Sequence, residues 1–148
     1  MTTSRALAAS LAAALTLAAN AMAATAPPTE ASRLASQYSE WAGGKSNADA
    51  LVAGLRNGAP ITIVTNGADR SVSIAGFTPA TSMSYGNVST ALLNAQRSLS
   101  RLGIARPTAE QMQAALIGGE VTTARGATTL VRGSVAPRAG SSGPIASR

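Results

Sequence analysis

The sequence predicts an α+β fold of two helix–β-hairpin units, in the order α-α-β-β-α-α-β-β. Three observations predict it: a helix-then-hairpin pattern that occurs twice, glycine stops after the helical runs, and apolar alternation on both sides of short turn signals. Most simply, the two hairpins join one four-stranded antiparallel sheet with helices on one face. Residues 30–135 carry apolar positions throughout and read as a single small domain, with units at about 46–75 and 107–135.

Met1 to Ala23 reads as a secretory signal peptide. Arg5 supplies the charged start, Ala6 to Ala18 the apolar core, and Ala21-Met22-Ala23 the small-x-small cleavage site. Thirteen alanine- and leucine-rich residues are too few for a permanent membrane span. Cleavage after Ala23 leaves a periplasmic or secreted chain of 125 residues with no transmembrane segment. Residues 24–29 form a linker.

Thr29 and Glu30 open a first helix running to about Ala42, with Leu34, Tyr38 and Trp41 at i, i+4 and i+7 on its core face. Gly43-Gly44 ends it. Gly44-Lys45-Ser46 has the look of a phosphate loop, but Ser39 stands where that motif needs its first glycine, and a helix precedes instead of a strand. The stretch reads as a link into a second helix capped at Ser46/Asn47. Asn66-Gly67 then marks a two-residue hairpin turn, which places Ile61 opposite Val72 with Ile63 and Ile74 on the same face. After a connection across Pro79, the longest helix runs from about Asn87 to Leu102. Val88, Leu92, Ala95, Leu99 and Leu102 form its buried stripe, and Gly103 stops it.

The stretch from Pro107 to Thr123 shows the construction most clearly. Proline discourages helix at Arg106, Thr108 is placed as an N-cap, and Glu110 and Gln111 fall in the first turn. Met112, Ala115 and Leu116 share a face, and Gly118-Gly119 ends the helix. Arg125-Gly126 is the turn of the second hairpin, pairing Val121 with Leu130 and Thr123 with Thr128. Aligned without gaps, Asn47, Asp49, Leu51, Leu55 and Gly58 fall on Thr108, Glu110, Met112, Leu116 and Gly119. Duplication of one unit and independent reuse of the same caps both account for this echo. The run Pro-Thr-x-x-Gln-x-x-Ala-Ala-Leu-x-Gly-Gly-x-Val-Thr, with Tyr85-Gly86-Asn87-Val88 upstream, resembles a set of small exported proteobacterial proteins. The resemblance covers about residues 77–123, implies secretion and a shared fold, and carries over no functional residue. Ala136 to Arg148 reads as a disordered tail.

The chemistry is bounded by what the chain lacks. It contains no histidine and no cysteine, which excludes Ser-His-Asp and Cys-His nucleophiles, the usual zinc ligand sets, disulfides and a lipid-anchor cysteine. Six acids remain, and only Glu40 and Glu120 are unassigned to caps or turns well enough to suggest a carboxylate hydrolase. No cofactor, metal or catalytic group is expected. Removing Arg5 with the signal peptide takes the net charge from +6 to +5, and all but one of the remaining basic residues are arginine. Arg97, Arg101 and Arg106 lie close in sequence, the first two one helical turn apart, and form a candidate anion-binding face. They lack the interleaved aromatics of a nucleic-acid surface. The expected function is a non-enzymatic exported module that binds a protein or envelope partner. The alternatives are a salt-sensitive binder of anionic envelope polymers and a hydrolase using Glu40 or Glu120.

Overall fold

The computed structural model describes residues 28–67 and 69–140. Residues 1–23, read from the sequence as a signal peptide, lie outside them, as do residues 24–27 and 141–148. The predicted element order is observed: α1 (Glu30–Tyr38), α2 (Lys45–Asn57), β1 (Ile61–Asn66), β2 (Val72–Phe77), α3 (Tyr85–Arg101), α4 (Ala109–Ile117), β3 (Gly119–Thr122) and β4 (Thr128–Val131). Among the described residues no helix is long and apolar enough to cross a membrane.

The helices begin and end for local reasons. Thr29 and Ser84 accept from Ser32 N–H and Asn87 N–H as N-caps of α1 and α3. Thr108 accepts from Gln111 N–H while the Gln111 side chain accepts from Thr108 N–H, closing a capping box on α4. Helix α1 stops at Tyr38, short of the expected Ala42, and turns carry the chain to Gly43. The expected Ser46/Asn47 cap of α2 is not formed: Gly44 is the N-cap, and both residues lie within the first turns. Asp49, read as a first-turn acid, instead pairs with Lys45 at 2.8 Å. That exposed pair contributes a few tenths of a kcal/mol at most.

Asn47 has a different task. It is buried (8% exposed) and its side-chain amide behaves as a piece of strand. Nδ2 donates to Val64 O at 2.7 Å and to Ala42 O at 2.8 Å, and Oδ1 accepts from Val64 N–H at 3.2 Å. The outer edge of β1 is thereby closed by α2. Gly54 lets the same helix approach closely, because a Cβ there would collide with Ile61.

Four strands do not make one sheet. Strands β1–β2 and β3–β4 form two separate antiparallel pairs, and α4 packs against both β2 and β3. Its glutamines occupy the edges a joined sheet would need: Gln113 Nε2 donates to Gly76 O at 3.2 Å and Gln111 Nε2 to Thr122 O at 2.8 Å. The helix that was expected to cover one face therefore separates the hairpins. The core lies between α1–α4 and the inner hairpin faces, with Leu51, Leu55, Leu92, Leu99, Met112 and Leu116 fully buried.

Both hairpin registers differ from expectation by an odd number of residues. Ile61 pairs with Phe77, not Val72, and Val121 with Thr129, not Leu130. An odd shift exchanges the faces of the second strand. Ala75 and Phe77 therefore face the core, while Val72 and Ile74 face outward. Asn66 belongs to β1, and the turn lies further on: Gly67 N–H donates to Ser71 O and Arg70 N–H to Gly67 O. Arg70 carries the left-handed conformation (φ 65°). In the second hairpin Thr123 N–H donates to Ala127 O, Gly126 N–H donates to Thr123 O, and Gly126 is left-handed (φ 80°). The two hairpins thus close with the same pair of hydrogen bonds and a left-handed residue at the same place, Arg70 in one and Gly126 in the other. The Ser71 hydroxyl and Ser71 N–H both donate to Asp69, which holds its carboxyl below its usual 3.8. That contribution is complete above the usual value and is lost as pH falls through the lower folded value. Glycine is the residue the position favours, so Arg70→Gly is expected to raise stability by about 0.5–1 kcal/mol in urea unfolding.

The two-unit echo is seen in the apolar faces and not in the caps. Leu51 and Leu55, like Met112 and Leu116, are fully buried, whereas α2 starts three residues earlier than its alignment with α4 requires. The tail, read as disordered from Ala136, begins with paired residues. Ala80 N–H donates to Ala136 O and Arg138 N–H to Thr78 O, around a bridge between Pro79 and Pro137. The neighbours supply the N–H groups that the prolines lack.

Candidate functional site

The candidate anion-binding arginines are separated by the end of α3. Arg97 and Arg101 are exposed one turn apart on that helix. The helix is then closed by Gly103 (φ 77°), with Gly103 N–H donating to Ser100 O at 3.0 Å and Ile104 N–H to Leu99 O at 2.9 Å. The chain reverses there, and Arg106 leaves on a different side. Arg106 lines a groove of about 510 Å³ with Glu40, Trp41, Thr65 and Asn66. Arg101 lines a second groove of about 510 Å³ with Leu102, Thr123, Arg125 and Thr129. Arg97 lines neither.

The first groove forms where the α1–α2 turn, the end of β1 and the link into α4 meet. Trp41 is buried there, edge-to-face with Tyr38 at 6.2 Å, and its Nε1 has no hydrogen-bond partner. The groove borders the start of α4, where two of the first-turn N–H groups are engaged by side chains. Ala109 N–H donates to Thr65 Oγ1 at 2.9 Å and Gln111 N–H to Thr108 Oγ1 at 3.3 Å. Glu40 and Arg106 line the same groove without forming an ion pair. Glu120 is exposed on β3 opposite Leu130 and does not line it. No second carboxylate therefore stands beside Glu40 in the groove, as paired-carboxylate hydrolysis requires. Among the described residues no three His, Cys, Asp or Glu side chains are grouped to hold a metal ion.

The second groove is chemically simpler. Its charged lining is Arg101 and Arg125, with no acid. Neither guanidinium makes an ion pair among the described residues. Sequence spacing singles out Arg101 as an anion-binding candidate but marks Arg125 only as a turn residue. Their meeting depends on how the second hairpin packs near the end of α3, which spacing along the chain does not reveal. Two unpaired guanidinium groups on one groove can accept a carboxylate or phosphate.

No protein-family model, curated protein sequence or solved structure matches this chain.

Proposed function

We propose that the chain is an exported, non-enzymatic interaction module that holds a partner protein against its hairpins. The observation that carries this reading is the position of the exposed large hydrophobic side chains. Val64 (43%), Val72 (55%), Ile74 (45%) and Leu130 (78%) all lie on hairpin strands. Val64 stands directly opposite Ile74, and Val72 lies two residues away on the same face. An exposed apolar cluster of this kind is characteristic of an association surface. Export rests on the residue 1–23 pattern of a charged start, an apolar core and a small-x-small site.

The test is capture of partners from a whole-envelope extract by the full chain and by a triple variant, Val64→Thr, Val72→Thr and Ile74→Thr. Threonine keeps strand propensity and removes the patch, so the fold is expected to survive with each exposed change within about 0.5 kcal/mol. Capture is expected to persist at moderate salt for the natural chain and to be lost in the variant. Equal capture by both contradicts the reading.

A second reading is salt-sensitive binding of anionic envelope polymers through Arg97, Arg101 and Arg106. The exposed Arg97–Arg101 pair favours it, and the departure of Arg106 to another groove does not. Capture that disappears with salt, and in the Arg97→Ser plus Arg101→Ser variant, would select it.

A further inference from the structure

We infer that the open edge of β4 binds an extended acidic segment of a partner protein, which adds as a strand and sets a carboxylate between Arg101 and Arg125. The inference rests on reading the chain as an interaction module and names the chemistry of its partner.

The open edge follows from the hydrogen-bond alternation of the second hairpin. Thr123 N–H donates to Ala127 O, so this pair is hydrogen-bonded and Thr122–Thr128 is not. The contact of the two threonine hydroxyls at 3.3 Å and the outward Thr122 O held by Gln111 agree with that assignment. By the same alternation the N–H and C=O groups of Thr128 and Leu130 point away from β3. The edges of the other strands carry at least one side-chain clamp: Asn47 on β1, Gln113 on β2 and Gln111 on β3. On β4 no such clamp is seen among the described residues, and Thr128, Thr129 and Leu130 are all exposed. Unpaired strand groups are recognised by another extended polypeptide, not by a polyanion.

Charge selects the polypeptide. Ala127 and Thr129 of this segment also line the groove that holds Arg101 and Arg125. Arg132 is exposed just beyond the other end of the strand. Arginines near both ends of β4 oppose antiparallel pairing with a second copy, which would bring like charges together. An acidic segment meets the opposite condition. Two carbonyl groups at the end of α3, Ser100 O and Leu99 O, are engaged by Gly103 and Ile104, which lessens their repulsion of an anion in the groove.

The test uses the full chain and three labelled eight-residue probes read by fluorescence anisotropy. The first alternates valine with glutamate, the second valine with glutamine, and the third is the acidic peptide with alternate backbone nitrogens methylated. The acidic peptide is expected to bind, and the glutamine peptide about tenfold or more weakly. The Arg101→Ser plus Arg125→Ser variant is expected to bring the acidic peptide down to the glutamine level. Leu130→Pro is expected to abolish binding while keeping the hairpin, because the Leu130 N–H is not used within it. The methylated peptide makes the same demand without altering the protein and is expected not to bind. No binding of the acidic peptide up to about 1 mM overturns the inference. So does equal binding of the methylated peptide or of polyphosphate, which would mean that charge alone is recognised. A dimer that dissociates in Leu130→Pro would overturn it in favour of a second copy. If any of these occurs while capture still depends on Val64, Val72 and Ile74, the strand-addition inference fails and the interaction reading stands.

Discussion

Gly133→Ala is expected to destabilise the protein by at least about 3 kcal/mol, among the largest effects of any single methyl group in this chain. After β4 the chain crosses the end of α4 so closely that a Cβ on Gly133 would collide with the backbone of Ile117 and Gly118. Backbone has no rotamer by which to yield. The crossing is fixed on its far side by Val135, which is buried and whose N–H donates to Leu116 O at 2.8 Å. Either α4 or the segment from Gly133 to Val135 must therefore move. Thermal unfolding followed by circular dichroism should show a melting temperature about 10 °C lower or more. Gly126→Ala provides the contrast: it is left-handed but open, with no atom near its Cβ position. Its cost is expected to be about 1 kcal/mol, from conformation alone.

Asn47→Ala is the second large effect, expected to cost about 2–4 kcal/mol in urea unfolding. The substitution removes three hydrogen bonds and leaves Val64 N–H, Val64 O and Ala42 O without their partners. Asn47→Asp separates shape from chemistry. It preserves the outline of the side chain but turns the donor into an oxygen that faces two carbonyls, so it is expected to destabilise at least as much as alanine at neutral pH. A variant Asn47→Asp as stable as the natural protein would show that the amide's pairing with β1 matters little.

The helices were legible in the sequence because their signals are local. Caps at Thr29 and Thr108, the stripe from Val88 to Leu99 and the glycine stops each act within a turn or two of where they are read. The hairpin registers were not, although turn chemistry is also local. Asn66-Gly67 is a strong signal for a two-residue turn, which needs left-handed residues, yet the left-handed residue is Arg70. Two features opposed the signal. Asp69 is placed to accept from Ser71, and only the longer loop sets Phe77, the single phenylalanine, into the core opposite Ile61. Division of the sheet was beyond such reading, because it depends on two glutamines of α4 that reach strands more than ten residues away. The second groove was half legible. Arg101 stood out by its spacing from Arg97, whereas its meeting with Arg125 depends on tertiary packing.

Site-specific photo-crosslinking from inside the proposed surface reports whether a protein partner sits against the hairpins. A photoreactive amino acid placed at Ile74, on the exposed apolar face, is compared with one placed at Arg97, on the exposed face of α3. Each full-length protein is irradiated in an envelope extract at moderate salt. Position 74 is expected to give one discrete protein adduct and position 97 little. Adducts from position 97 alone, or from neither position while an anionic polymer is retained at low salt, would contradict a partner-binding hairpin face.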